Sequence, residues 1–238
     1  MQKGTLYMIP CPISDETLPW TVLPESNRTV MDSLDYFIVE NTRTARRFLS
    51  KAGVKRKIEE LEFRELNEHS VRGAEVEQLV EPLMAGRSAG VISEAGVPGV
   101  ADPGALVVEV CHRRGIRVVP LVGPSSIILA MMASGRNGQS FAFNGYLPVK
   151  PPERTKAIHH FEKRANAEHQ SQLFIETPYR NVKLVAQLFE TLSPTTSLTI
   201  AMDLTAPGEF VETHTVAEWK KKKQLPEMNK RPAIFIIG

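Results

Sequence analysis

The chain is poor in cysteine and has no long apolar run. Its 238 residues include only two cysteines, Cys11 and Cys111. We therefore expect neither a disulfide framework nor a cysteine-based zinc site, and this usage fits a reducing cytoplasm. The longest purely apolar run, Ile127 to Ala133, is far shorter than the roughly 18 residues of a membrane-spanning helix. The first residues lead into a strand-like segment without the apolar stretch of a secretory signal, so a cytoplasmic protein without a membrane anchor is expected.

Aromatic residues and net charge are also scarce. Aromatic residues make up 7% and are not interleaved with basic ones, which argues against a stacking platform for single-stranded nucleic acid. The net charge is +2, divided as −1 over residues 1–137 and +3 over residues 138–238. This tilt favours a polyanionic partner for the C-terminal part, and an ordinary solvated surface explains it equally well. The apolar share of 42% is that of a globular chain of one large or two compact domains.

The spacing of the apolar residues predicts an α/β protein with two α/β domains. Alternation of short apolar strands with amphipathic helices predicts a mainly parallel five-stranded sheet in the N-terminal domain. The alternating segment 209–216 predicts a mixed sheet in the C-terminal domain. A turn cluster at 135–139 sets the predicted domains at 1–137 and 138–238. We expect strands at 5–9, 36–39, 62–66, 89–92, 117–121, 141–144, 172–175, 197–202, 209–216 and 233–237, and helices at 42–52, 73–85, 106–114, 125–133, 154–165, 181–192 and 217–223.

The loops that follow the strands are the candidate binding segments, because ligands of open α/β sheets bind beyond the carboxyl ends of the strands. The most unusual loop, Ser93 to Gly104, holds three glycines and two prolines, and glycine permits close approach of a ligand to the backbone. It matches neither a dinucleotide fingerprint nor a phosphate-binding P-loop. A tight connection in which Asp102 caps the next helix is the alternative. Ser125 and Ser126 open another helix, whose N-terminus either receives an anion or is simply capped.

Four segments together carry a family resemblance. They are 40–43 (Glu-Asn-Thr-Arg), the loop 93–104, 123–126 (Gly-Pro-Ser-Ser) and 176–180 (Glu-Thr-Pro-Tyr-Arg). In matching order they resemble motifs of the tetrapyrrole-methylase superfamily of S-adenosylmethionine (SAM) methyltransferases. The chain is most similar to the branch that methylates a ribose 2′-hydroxyl of small-subunit ribosomal RNA, which typically shows E-D-T-R, S-D-A-G-T-P-G-[IV]-S-D-P-G, P-G-P-S and E-S-P-[HY]-R. The resemblance implies a folded SAM in a cleft between two α/β domains, and a homodimer.

The sequence departs from that branch at four places. Glu94 stands where the branch usually has Asp, and Val97 where it has Thr. Residues 204–209 replace a segment that typically reads L-T-K followed by H-E, and the chain ends at Gly238, where typical members continue. These departures bear on the substrate more than on the cofactor. A methyltransferase of a tetrapyrrole or another small molecule, and a SAM-binding module without turnover, therefore stay open as alternatives.

The resemblance also implies a cofactor site made largely of backbone. Methyl transfer from SAM is an in-line displacement that needs orientation more than a metal or a nucleophilic side chain, and no metal site is expected. The segment 97–99 would lie against SAM, and Glu94 could hydrogen-bond its ribose. The residues assigned to SAM are Pro10, Glu94, Val97, Pro98, Gly99, Ser125, Ser126, Glu176, Thr177, Leu204 and Thr205.

An alcohol acceptor must lose its proton as the methyl group arrives, and a positioned carboxylate or histidine can take it. The candidates are Glu40, Glu68, His69 and Asp102, with Glu68 and His69 slightly favoured as a pair. Arg43 could equally hold Glu40 in a structural ion pair. For an RNA acceptor, phosphate contacts would come from basic side chains, each of which is otherwise an ordinary surface residue. These are Arg43, Arg46, Arg47, Lys150, Arg154, Lys156 and Arg180.

Overall fold

The structure, a computed structural model, describes residues 2–66 and 73–238. The predicted base residues Glu68 and His69 lie outside the described residues. The chain divides into two compact units, Met1–Ser125 (unit 1) and Ser126–Gly238 (unit 2). Each unit contains a sheet covered by helices, so the predicted α/β class is confirmed.

Unit 1 contains a parallel sheet in the order β3-β2-β4-β1-β5. Its central strands are apolar along their whole length because both faces are covered, and every residue of β2 and β4 is buried. The strands are β1 (Thr5–Ile9), β2 (Tyr36–Val39), β3 (Glu62–Glu65), β4 (Ala89–Ile92) and β5 (Arg117–Pro120). The helices are α1 (Pro19–Val22), α2 (Ser26–Ser33), α3 (Thr42–Ala52), α4 (Gly73–Met84) and α5 (Gly104–Arg113).

Unit 2 contains a mixed sheet in the order β6-β7-β10-β8-β9. β6 and β7 are parallel, while β10 runs antiparallel to both of its neighbours, β7 and β8. The strands are β6 (Phe141–Tyr146), β7 (Ser171–Glu176), β8 (Ser197–Met202), β9 (Phe210–Thr215) and β10 (Ala233–Ile237). The helices are α6 (Ser126–Ser134), α7 (Pro151–Glu168), α8 (Asn181–Thr191) and α9 (Val216–Lys221).

The boundary between the units lies between Ser125 and Ser126, earlier than the turn cluster at 135–139 indicates. The reason is helix α6, which packs on β8, β9 and β10 of unit 2. The Thr213 hydroxyl donates to the carbonyl of Ser134 at 2.8 Å, which fixes the end of this helix to the sheet. The turn cluster therefore marks only the end of α6, and the helix belongs to unit 2.

Each unit has its own hydrophobic core. In unit 1 the two faces of the sheet are covered separately, one by α4 and α5 and the other by α2 and α3. In unit 2 the core contains the fully buried Phe174 and Phe235, whose rings stack at 5.9 Å, together with Trp219. Among the described residues, no helix has the length and apolar character needed to cross a bilayer. These rigid layers hold the loops that follow the strands.

Candidate active site

Three loops meet at the carboxyl ends of the adjacent strands β4, β1 and β5. The Cys11 N–H donates to the Gly96 carbonyl at 2.9 Å, which joins the loop after β1 to the loop after β4. A Cβ built on Gly123, after β5, would lie 2.3 Å from the Pro10 ring. Only glycine fits at that contact, because real Cβ atoms do not approach other atoms so closely. The three segments therefore form one surface of unit 1 that consists largely of backbone.

The loop 93–104 depends on glycine at the positions where its chain direction changes. Gly96 has a φ of +70° and Gly99 a φ of +83°, both in the left-handed region that glycine adopts without steric cost. A Cβ on Gly99 would also lie 3.2 Å from the methyl carbon of Met8. Ala101, with a φ of +62°, keeps a left-handed conformation despite its side chain. Such conformations persist where the surrounding contacts determine them, and they cluster at functional sites.

Asp102 supplies those contacts. Its carboxylate accepts the Gly99 N–H at 2.8 and 2.9 Å and the Gly104 N–H at 2.7 Å. Burial raises the pKa of Asp102 above its ordinary value, and the backbone donors oppose that rise. The carboxylate thus holds the loop closed on itself, as the interpretation of a tight connection around Asp102 expects.

Two of the four predicted base residues line one crevice at the ends of β2 and β4. Glu40 and Asp102 both border a small crevice of about 10 Å³ whose wall includes Leu66 and Ser93. Glu40 is already engaged with the loop, since its carboxylate accepts the Glu94 N–H at 3.1 Å. The structure therefore gives Glu40 a role in positioning the loop. The other two candidates, Glu68 and His69, lie outside the described residues.

Cys11 lies among these loops, but it is not an activated nucleophile. Burial raises the pKa of its thiol to about 12. The thiolate is the reactive form of cysteine, so this side chain stays neutral and donates to the Ser93 carbonyl at 3.3 Å. Among the described residues, no cluster of His, Cys, Asp or Glu could hold a metal ion.

In unit 2 the predicted cofactor residues gather at one end of the sheet. β7 and β8 are both antiparallel to β10, so their carboxyl ends lie at the same edge. Glu176, at the end of β7, is 4% exposed and pairs with Arg180 at 2.5 Å. Its Oε1 also accepts the Thr177 N–H. Its Oε2 is buried and, within the described ranges, has no hydrogen-bond partner.

The segment after β8 is also held by charged side chains. Asp203 and Thr205 have φ values of +48° and +70°, unusual for residues with side chains. Arg231 binds Asp203 at 2.5 Å, and the Glu209 carboxylate accepts the Thr205 N–H at 2.8 Å. Leu204, between the two strained residues, is buried. The sequence reasoning missed Arg231, because nothing in the local pattern links it to a residue so far along the chain.

One observation in unit 2 fits a SAM contact. Oε2 of Glu176 is a buried acceptor that a ligand donor would satisfy. Ser125 ends unit 1 and Ser126 begins α6 in unit 2. Val97 and Pro98 lie on the loop between its two left-handed glycines.

The predicted RNA contacts divide into accessible and inaccessible side chains. Arg43, Arg47, Lys150 and Lys156 are exposed. Arg154 is only 7% exposed and donates to the Gln187 side chain, so the prediction that it binds phosphate is not supported. Arg180 is committed to the buried Glu176, and this pair accounts for the arginine without RNA.

Comparison with known proteins decides the family. The model of the tetrapyrrole (corrin/porphyrin) methylases matches residues 27–220. The chain belongs to this family. The sequence-based predictions of a methyltransferase and of SAM as its methyl donor are thereby confirmed.

Relatives and solved structures agree with this membership. The chain is 30% identical over 213 residues to the ribosomal RNA small subunit methyltransferase I of Vibrio cholerae serotype O1, covering 90% of this chain and 69% of that protein. It shares its fold with the methyltransferase CobJ, with a TM-score of 0.64 and 16% identity over 99% of this chain and 94% of that one. It is also similar to the uroporphyrin-III C-methyl transferase of Thermus thermophilus complexed with S-adenosylhomocysteine, with a TM-score of 0.55 and 16% identity over 99% and 97% of the two chains.

Proposed function

We propose that this methyltransferase moves the methyl group of SAM to a ribose 2′-hydroxyl of small-subunit ribosomal RNA. The observation that carries the proposal is the similarity to a small-subunit rRNA methyltransferase over 90% of the chain. The ribose 2′-hydroxyl follows from the four motifs of the 2′-O-methylating branch. The weakly charged C-terminal part and the departure at 204–209 bear on which nucleotide is chosen.

Unit 1 carries the contacts that orient the donor. SAM supplies an electrophilic methyl group, and the protein's task is to hold it in line with the acceptor oxygen. In this proposal the backbone at 97–99 contacts the cofactor, with Pro10 as a rigid wall, because Asp102 and Glu40 hold the loop in shape. Glu94 is exposed and its side chain is available to hydrogen-bond a ribose hydroxyl.

The proton of the acceptor hydroxyl goes to Glu68, with His69 as its neighbour, in this proposal. Support comes from the other two candidates: Glu40 accepts the Glu94 N–H, and Asp102 accepts the Gly99 and Gly104 N–H groups. A general base contributes about 10²–10⁴-fold. Glu68→Gln should therefore lower kcat by at least about tenfold while leaving the SAM dissociation constant unchanged. Full activity of this variant would exclude Glu68.

Unit 2 is proposed to add side-chain contacts to the cofactor. Glu176 ends β7 and Thr177 follows it, while Leu204 and Thr205 follow β8 at the same edge of the sheet, with β10 between the two strands. The buried Oε2 of Glu176 is suited to a donor such as the SAM amino group or a ribose hydroxyl. Glu176→Gln, which keeps the shape and removes the charge, tests this contact by its SAM affinity.

A homodimer in the cytoplasm completes the proposal. The resemblance implies the dimer, and the two cysteines are both free and buried, as a reducing compartment permits. Sedimentation equilibrium of the purified protein measures the assembly state. A monomer at micromolar concentration would contradict the dimer without touching the proposed activity.

The deciding experiment maps the RNA. Ribosomal RNA from a deletion strain would be compared with wild type for missing 2′-O-methylation, and the purified protein would be given 30S particles and labelled SAM. We expect one ribose methylation to be lost in the strain and restored in vitro. An unchanged methylation pattern would overturn the ribose acceptor. Transfer to a tetrapyrrole or another small metabolite, and not to 30S particles, would support the small-molecule alternative. SAM binding without any transfer would support a non-catalytic module.

A further inference from the structure

Unit 1 contains a concentrated basic segment that the net charge of the chain, +2, does not reveal. Between Glu40 and Glu59 the chain has seven Lys or Arg residues and no acid. The remainder of residues 1–125 carries 8 Lys or Arg and 17 Asp or Glu, a balance of −9. The seven cations form the α3 basic surface: Arg43, Arg46, Arg47, Lys51, Lys55, Arg56 and Lys57.

Helix α3 and the segment that follows it, up to Lys57, present this surface to solvent. Arg43, Arg47 and Lys51 are spaced four residues apart, so they lie along one side of α3. All seven cations are exposed, whereas Phe48 and Leu49 are buried in the core. The 11 residues of α3 span about 16 Å at 1.5 Å per residue, which is long enough to lie along several phosphates of a nucleic acid strand.

Few acids lie close to the surface. Arg47 pairs with Asp15 at 2.5 Å and yet its side chain stays 49% exposed. Arg46 approaches Glu59 only at 3.8 Å, and Lys55 approaches Asp32 at 3.6 Å. The pairs of Arg46 and Arg47 are exposed on both sides and are worth about 0–1 kcal/mol, so a phosphate can replace them at little cost. Within residues 2–66 and 73–238, the remaining members Arg43, Lys51, Arg56 and Lys57 take part in no ion pair, and the Lys51 Nζ donates to the Asp15 carbonyl at 2.7 Å.

The surface is continuous with the candidate active site of the same unit. α3 begins directly after β2, so its first turn stands at the carboxyl edge of the sheet. One pocket is lined by Arg47 and Lys51, by Asp15, which binds both of them, and by Cys11, Ser93 and Glu94. A polyanion on the α3 basic surface would therefore run into the loops at the ends of β1 and β4.

We infer that the α3 basic surface binds the phosphate backbone of the RNA substrate and directs it to the loop 93–104. The inference rests on the proposed function, which supplies RNA as the acceptor. Cations that contact phosphates provide affinity and orientation without reading sequence. The inference places the main electrostatic contact with RNA in the N-terminal unit, although the excess of positive charge in the sequence lies in residues 138–238.

The test removes three charges from this surface and three from a matched site. The variant Arg43→Gln/Lys51→Gln/Lys57→Gln is compared with Lys220→Gln/Lys221→Gln/Lys223→Gln, whose lysines are also exposed but lie in unit 2. Binding of a 16S rRNA transcript is measured across a range of salt concentrations, methylation of 30S particles is measured as kcat and KM, and SAM binding is measured by calorimetry.

We expect the α3 variant to bind the transcript at least about tenfold more weakly and to lose roughly 2 from the slope of log K against log salt, because each phosphate contact contributes about 0.7–0.9. SAM affinity should not change, and the unit 2 control should keep the wild-type slope. Equal losses in both variants, or no loss in the α3 variant, would overturn the inference. Wild-type protein that fails to bind the transcript would also overturn it. Wild type that binds RNA but methylates neither RNA nor 30S particles would instead refute the proposed function.

Discussion

The two units hold their strand-end loops by different means. In unit 1 the loop 93–104 turns at glycines, and one carboxylate, Asp102, accepts its backbone N–H groups. In unit 2 the left-handed positions are Asp203 and Thr205, and ion pairs to Arg231 and between Glu176 and Arg180 support the surrounding segments. The unit 1 loop is therefore built on glycine turns that carboxylates hold through backbone N–H groups, whereas the unit 2 segments also depend on ion pairs between side chains.

This difference predicts different weaknesses. A site made of backbone loses its shape when a substitution adds a side chain, because the packed neighbours can move only at a cost in free energy. A site made of buried ion pairs fails when one partner is removed, because the remaining charge loses its compensation. One substitution that adds a side chain in unit 1 and one that removes an ion-pair partner in unit 2 test this difference between the units.

The largest effect is expected from Arg180→Met in unit 2. It leaves the buried Glu176 carboxylate without its guanidinium, which costs about 3–5 kcal/mol when a buried pair is broken from one side. Urea unfolding followed through Trp219 fluorescence measures the loss, since that tryptophan lies in the core of unit 2. The double variant Glu176→Gln/Arg180→Met is the control and should recover most of the stability. Equal destabilisation of both variants would show that the charge is not the cause.

Gly99→Val in unit 1 should have the next largest effect, this time on binding. A branched side chain at a φ of +83° and against Met8 displaces the loop, and we expect SAM affinity to fall by at least about 100-fold. Calorimetric titration measures it.

Gly53→Val provides the matched control for Gly99→Val. Gly53 also has a positive φ, +67°, but a Cβ there meets no atom within 4 Å. Both variants carry the same kind of backbone penalty, so only Gly99→Val should lose SAM. Undiminished affinity in that variant would remove the loop 93–104 from the cofactor site.

The sequence predicted the elements well where periodicity decides them. Strands β1, β2, β4, β8 and β10 match their predicted bounds, because they are short apolar runs between turn residues. Helix α2 was missed, since Asn27 and Met31 are its only buried residues and its pattern is mostly polar. Arg154 was assigned to the surface, but the periodicity of α7 is weak and its guanidinium is buried against Gln187.

The sequence predicted only those features of the site that lie within one short segment. The loop 93–104 stood out by composition, and its glycines do adopt left-handed conformations. The contact of Gly123 with Pro10 and the ion pair of Arg231 with Asp203 join segments far apart in the chain. Such contacts depend on strand order, which composition and spacing do not determine, so they became visible only in the folded chain.

A pH titration of stability should show opposite signs at one carboxylate in each unit. Burial raises the pKa of Asp102, so its contribution to stability is present at low pH and is lost as pH rises through the folded-state value. A hydrogen bond from Lys222, opposed in part by burial, lowers the pKa of Glu212, so its contribution is present at neutral pH and is lost as pH falls.

The measurement compares each variant with wild type by its unfolding midpoint between about pH 3 and 7. Asp102→Asn should gain relative to wild type as pH rises, after a constant loss from its weaker acceptance of the loop N–H groups. Glu212→Gln should lose relative to wild type over the same range. Parallel pH curves for the two variants would contradict the contrast between the two carboxylates.

The smallest effect is expected from the exposed lysines of unit 2 that the sequence assigned to RNA. Lys150 makes only an exposed contact with Glu153 at 3.7 Å, and Lys156 is exposed on α7. If the α3 basic surface carries the main phosphate contacts, Lys150→Gln/Lys156→Gln should weaken binding of the 16S transcript by no more than about twofold, as expected for cations near a polyanion but outside its path. The salt dependence distinguishes the cases, because a lysine that directly contacts a phosphate contributes about 0.7–0.9 to the slope, whereas a lysine farther than a Debye length from the RNA changes both the affinity and the slope little. A fall in slope as large as that of the α3 variant would show that RNA contacts both units equally.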